Sequence, residues 1–223
     1  MLSFLFLVLP LSLVIYYLWN VKSSDSENNS VNKRFFVPML IGVLLAVLLC
    51  AIKVFFTYSH RVVPSTFTEN FAYFFLNQSC VPLCAVFVIY CLIMRGPFVD
   101  KVTDFFPLTA SFYAVYLQYL VISGTVFVYS GYAIFVKPLV YLAMLLQCAL
   151  SIRCFLGGFC LKKVVFVVIN ITIMVAYVTV PAILEAFYAI NTNFTAIIII
   201  SAIYILFPVG HALFLFIKNL FSK

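Results

Sequence analysis

Glu185 is the one carboxylate that falls well inside a long apolar run of this 223-residue chain, and a charge placed there needs a partner because no water is at hand to solvate it. Four more polar side chains, Lys53, Asn77, Gln78 and Gln118, fall inside such runs. Counting depth along each helix at about 1.5 Å per residue places all five in the same half of the membrane, the outer one. A carboxylate and an ammonium at one depth can form an ion pair, or share a hydrogen-bond network with the amides. The same carboxylate can instead hold a proton or a cation, or simply reach the interface from a nearby helix end.

Other reactive residues lead nowhere comparable. His211 shares the opposite layer with Gln147 and Asn170, and regular helices would separate it from Glu185 by roughly 20 Å, so the two should not act as an acid–base pair. That second layer reads as interhelical hydrogen bonding. His60, beside Arg61, belongs to an external loop. Cys80 and Cys84 share a helix face around Pro82, but a zinc ion would need two further ligands. The seven cysteines read as free thiols packing as small hydrophobes. The chain has no HExxH, no glycine-rich phosphate loop and no GxSxG elbow. Neither a metal nor a cofactor is expected, and no catalytic residue is assigned.

The elements that must position these residues follow from composition. Hydrophobic residues make up 66% of the chain and charged ones 9%, against about 25% charged in soluble domains. Apolar runs near the roughly 20 residues that cross a bilayer as helix recur at 2–19, 35–58, 71–94, 106–126, 134–153, 164–190 and 196–217. They are too long for barrel strands and lack period-two alternation. The expected fold is all-α, a polytopic bundle of about seven spans forming one transmembrane domain over residues 1–223, with a flexible cytoplasmic loop at 20–34.

Ten of the thirteen Lys and Arg residues fall in alternate gaps and the tail, while only Lys53, Arg61 and Lys137 fall on the other side. The excess marks the cytoplasmic face, giving an outside N-terminus and an inside C-terminus. Spread over four loops with no interleaved aromatic stripe, this charge points to lipid headgroups and excludes nucleic acid as a partner. Pro38, Pro107 and Pro138 are expected at helix entrances, whereas Pro10, Pro82, Pro181 and Pro208 fall inside spans, where each should free a carbonyl. Gly157 and Gly158 are expected to form a tight turn.

Laid out this way, the chain resembles the PrsW-type intramembrane proteases, related to the CPBP and Rce1 proteases, over about residues 1–190. The family's glutamate pair would match Asn77 and Gln78, and its Phe-x-x-x-Glu motif would match Phe112 with Tyr116 in place of the glutamate. Phe98, Asp100 and Asp104 resemble the acidic segment between them, and Ala182–Tyr188 resembles the late histidine motif with Glu185 in the histidine position. Hydrolysis at such a site needs a carboxylate to activate water or histidines to hold a metal, and Asn, Gln and Tyr supply neither.

The preferred reading is therefore a non-catalytic PrsW-like protein of the inner (cytoplasmic) membrane. Its outer-half cluster of Asn77, Gln78, Tyr116, Gln118 and Glu185, with Lys53, would bind a lipid-like ligand or a partner helix. The alternatives are a small transporter that uses Glu185 as a proton or cation site, and an active intramembrane protease with an unorthodox site.

Overall fold

Long runs of Leu, Val, Ile and Phe cannot leave backbone groups unpaired in an apolar surrounding, and the helix pairs them within the segment. The computed structural model describes residues 28–57, 65–93, 107–116, 118–119, 131–160, 163–190 and 194–221, all built on helices. In chain order these are α1 (Asn28–Thr57), α2 (Phe67–Phe74), a π-helical turn (Phe75–Cys80) running into α3 (Val81–Ile93), α4 (107–116), a second π-helical turn (Tyr132–Val136) running into α5 (Lys137–Cys160), α6 (Val164–Ala189) and α7 (Phe194–Phe221). No strand occurs among the described residues.

Among the described residues four stretches are long and apolar enough to cross a membrane: Val37–Phe55, Phe67–Leu92, Val164–Ala189 and Phe194–Phe214. They match four of the expected runs. Of the other three, 2–19 lies outside the described residues, 106–126 is described only in part, and 134–153 falls on α5, whose apolar stretch Lys137–Cys148 is shorter than a span.

Some expected boundaries need correcting. The loop expected at 20–34 is helical from Asn28, so α1 begins well before its apolar stretch at Val37. Hydropathy marks what sits in hydrocarbon, whereas a helix can continue into water on its own backbone bonds. For the same reason Pro38 stands inside α1 and not at its entrance. Gly157 and Gly158 form no turn; α5 runs through them to Cys160. The start of α2 has a signal that hydropathy passes over, the Thr66-x-x-Glu69 capping box. The Glu69 N–H donates to Thr66 Oγ1 at 3.3 Å, and Glu69 Oε2 accepts from the Thr66 and Ser65 N–H groups at 3.2 and 2.9 Å.

At the core lies α4, buried over nearly its whole surface: Leu108, Thr109, Ala110, Ser111, Phe112, Tyr113, Ala114 and Tyr116 are all at most 2% exposed, and only Val115 is partly buried. A helix with so little outward face belongs in the middle of a bundle. Val140 to Leu146 of α5 is buried likewise, whereas α1, α3, α6 and α7 present Leu44, Phe87, Val165 and Leu206 outward. Gly42 lets α1 lie directly on α4, since a Cβ there would collide with Ser111 Oγ and the Leu108 carbonyl. Close approach through a small residue is how helices associate where the surrounding lipid removes the hydrophobic incentive.

Prolines and tyrosines cooperate in this bundle. A proline leaves the carbonyl four residues earlier without its helical donor. Pro181 thereby releases the carbonyl of Tyr177 on α6, and Pro208 that of Tyr204 on α7. The two tyrosines exchange hydroxyls: Tyr204 donates to the Tyr177 carbonyl at 2.7 Å and Tyr177 to that of Tyr204 at 3.4 Å, with their rings stacked 4.5 Å apart. Each proline thus creates the acceptor that its neighbour's tyrosine fills. Pro82 frees the Gln78 carbonyl in the same way, and the Tyr113 hydroxyl fills it at 2.9 Å.

Candidate functional site

The first π-helical turn and the proline after it free the backbone carbonyls of Asn77 and Gln78. Within it the N–H of Val81 reaches back five residues to the Leu76 carbonyl and so bypasses Asn77, while Pro82 offers no N–H at all. Two consecutive carbonyls, of Asn77 and Gln78, are left without their α-helical donors. Tyr116 of α4 donates its hydroxyl to the Asn77 carbonyl, and Lys53 of α1 approaches the same oxygen at 3.3 Å. Lys53 Nζ also donates to Asn77 Oδ1 at 2.9 Å and lies 5.2 Å from the centre of the Tyr116 ring. Gln78, buried beside it, accepts from the Tyr141 hydroxyl at its side-chain oxygen, 2.7 Å away.

The second π-helical turn repeats the device. The N–H of Lys137 reaches back to the Tyr132 carbonyl, and Pro138 follows. Pro138 therefore stands inside a continuous helical segment, not at an entrance. Lys137 is delivered into the bundle, where its Nζ lies 3.1 Å from Oε2 of Glu185 on α6. Both residues are only 6% exposed. Tyr132 and Tyr141 lie close enough to interact electrostatically with this carboxylate.

Of the six residues singled out in the sequence, Lys53, Asn77 and Tyr116 meet in one cluster, and Gln78 adjoins it through the backbone and through Tyr113. Gln118 is half-buried on the continuation of α4 and joins none of the hydrogen bonds described for the cluster. Glu185 pairs with Lys137 and not with Lys53. Depth along the membrane normal matches Lys53 to Glu185, but depth is one coordinate of three, and the direction a helix face points is not contained in it. Among the described residues Tyr141, bonded to Gln78 and near Glu185, spans the two groups.

Sequence reasoning missed Lys137, Tyr113, Tyr132 and Tyr141. An available signal was the proline just after Lys137 and Val81, which marks a turn that delivers side chains inward. In the other layer Gln147 meets His211 at 3.4 Å and Ser151 at 3.2 Å, whereas Asn170 donates to the Phe166 carbonyl of its own helix. Phe98, Asp100 and Asp104 lie outside the described residues. Among the described residues no group of three His, Cys, Asp or Glu side chains is disposed to hold a metal, and the six cysteines whose side chains are described form no disulfide.

Described residues that are all helical, four helices among them fit for a bilayer and a polar centre on the π-helical turns are the class these observations define. No family model, no curated protein and no solved structure matches it.

Proposed function

We propose that this is a non-catalytic, PrsW-like multi-pass protein of the inner membrane, with its N-terminus outside, that binds the anionic headgroup of a lipid-like ligand at Lys53. The observation that carries this reading is the company Lys53 keeps: a half-buried ammonium held by the oxygens of Asn77 and the ring of Tyr116, all of them uncharged. Neutral acceptors orient the cation without cancelling it, and an arriving phosphate or carboxylate supplies the missing charge. The likeness to PrsW proteases is supported by the convergence of positions 77, 78 and 116, which match that family's glutamates. Here they are an amide pair and a phenol that cannot activate water.

Native mass spectrometry of the purified protein in mixed micelles tests the reading. Phosphatidylglycerol is expected to be retained over phosphatidylcholine, with the preference falling about tenfold in Lys53→Gln. Equal retention of both lipids, or a preference that survives the substitution, would count against it.

A transport reading centred on Glu185 draws on the burial of that carboxylate, but Lys137 already neutralises it, so a cation entering there adds an uncompensated buried charge unless Lys137 gives way. Flux into proteoliposomes that disappears in Glu185→Gln would favour it over headgroup binding.

A further inference from the structure

Two polar atoms beside the Lys137–Glu185 pair have no hydrogen-bond partner among the described residues: Oε1 of Glu185 and the hydroxyl of Tyr132. Both residues are more than nine-tenths buried, at 6% and 2% exposure. They come from different helical segments, and geometry brings those together: the Tyr132 carbonyl accepts from the N–H of Lys137, whose Nζ lies 3.1 Å from Glu185, and the Tyr132 ring is stacked on Tyr188, three residues after Glu185 on the same helix. A carboxylate oxygen and a phenol left unsatisfied next to each other call for one group that bonds to both.

Charge decides which group. Lys137 and Glu185 sum to zero, so a cation would bring an uncompensated positive charge into a low-dielectric interior, and an anion would face Oε1 without a proton to share. A neutral hydroxyl meets the requirement, donating its proton to Glu185 Oε1 and accepting one from Tyr132. The surroundings are aromatic. The Tyr132 ring is stacked on Tyr188 at 4.3 Å, Tyr188 adjoins Phe194 at 6.3 Å, and Phe67 lies against Phe187 at 4.8 Å. Phe67, Phe187 and Phe194 are each exposed. They come from the start of α2, the end of α6 and the start of α7, the level at which aromatic side chains gather at a membrane interface and lipid glycerol groups lie.

We propose that Glu185 Oε1 and the Tyr132 hydroxyl form a site for the free hydroxyl of a neutral lipid alcohol, of the diacylglycerol kind, with the aromatic rim receiving its acyl chains. This site is separate from Lys53 and does not rest on the headgroup reading. Water offers the same hydroxyl chemistry, and the experiment separates the two sources.

Purified protein in phosphatidylcholine nanodiscs is titrated with dioleoylglycerol and, in parallel, with its acetylated counterpart, which lacks the free hydroxyl; bound ligand is read by native mass spectrometry. The alcohol is expected to be retained about tenfold better than the acetylated form, and Tyr132→Phe is expected to abolish the difference. The comparison of the two ligands on the unaltered protein stands even if that variant does not fold. Equal retention of both overturns the proposal, as does a preference that persists in a folded Tyr132→Phe protein. Retention of neither, with an ordered water resolved on Glu185 Oε1 by cryo-electron microscopy, gives the hydroxyl to solvent and overturns the lipid assignment. Lys53→Gln is expected to leave the preference for the alcohol intact, which keeps failure here distinct from failure at Lys53.

Discussion

Lys137 and Lys53 both stand in apolar helical segments next to a π-helical turn, yet one is neutralised and the other is only held. Lys137 is buried on the carboxylate of Glu185, 3.1 Å away, so charge cancels where it is most costly. Lys53 is half-buried and meets an amide oxygen at 2.9 Å, a carbonyl and an aromatic ring. The depth of a cation does not by itself reveal its role. Lys137 belongs to the framework that joins α5 to α6, whereas Lys53 meets no carboxylate among the described residues and keeps some exposure, as a residue that meets an outside partner requires.

The sharpest way to break the contrast is to remove Lys137. Lys137→Met leaves Glu185 buried and unpaired and should cost about 3–5 kcal/mol in unfolding in mixed micelles. The double variant Lys137→Met/Glu185→Leu should recover most of that loss; a single variant as stable as the parent would show that the pair contributes nothing.

A smaller effect is expected away from both lysines, at the tyrosine exchange. Tyr204→Phe strips the Tyr177 carbonyl of its donor and should cost about 0.6–1.7 kcal/mol, in the range of interhelical hydrogen bonds in membranes. Because the orphan carbonyl is made by Pro181, Pro181→Ala should suppress the defect by restoring an N–H. Suppression that fails in the same unfolding assay would separate the proline from the tyrosine.

The smallest effect on stability, under about 1 kcal/mol, is expected from Asn77→Asp. It gives Lys53 a carboxylate and makes the two lysines alike. Its readout is binding: retention of phosphatidylglycerol should fall to the level of phosphatidylcholine, and unaltered retention would show that the charge on Lys53 is not what matters.

Much of the helical framework was legible because hydropathy reports directly on what a bilayer accepts. Val164–Ala189 falls within a residue of the expected run. The meeting of Asn77 with Lys53 was legible as a match in depth. The partner of Glu185 was not, because the sequence marks Lys137 only as a charge on one side of the membrane, and depth fixes neither azimuth nor neighbour. The proline positions did announce freed carbonyls. What stayed hidden was the filling group, although a tyrosine four residues before Pro181 and another before Pro208 can be read in the sequence once the exchange is known. The wide turns were harder still, since their only sequence trace is the proline that ends them.

The wide turn at Phe75–Cys80 also bears on how this gene can vary. Removing the codon of Ser79 or Cys80 would let ordinary helical winding resume with the Val81 N–H still on the Leu76 carbonyl, so the flanking helices keep their register. The Asn77 carbonyl would still lack a donor because of Pro82, but that of Gln78 would regain a backbone N–H in competition with the Tyr113 hydroxyl, while the hydropathy profile stayed almost the same. Such a frame-preserving deletion is silent to any test of membrane insertion and loosens α4 from the turn, so that residue count is inherited as strictly as residue type.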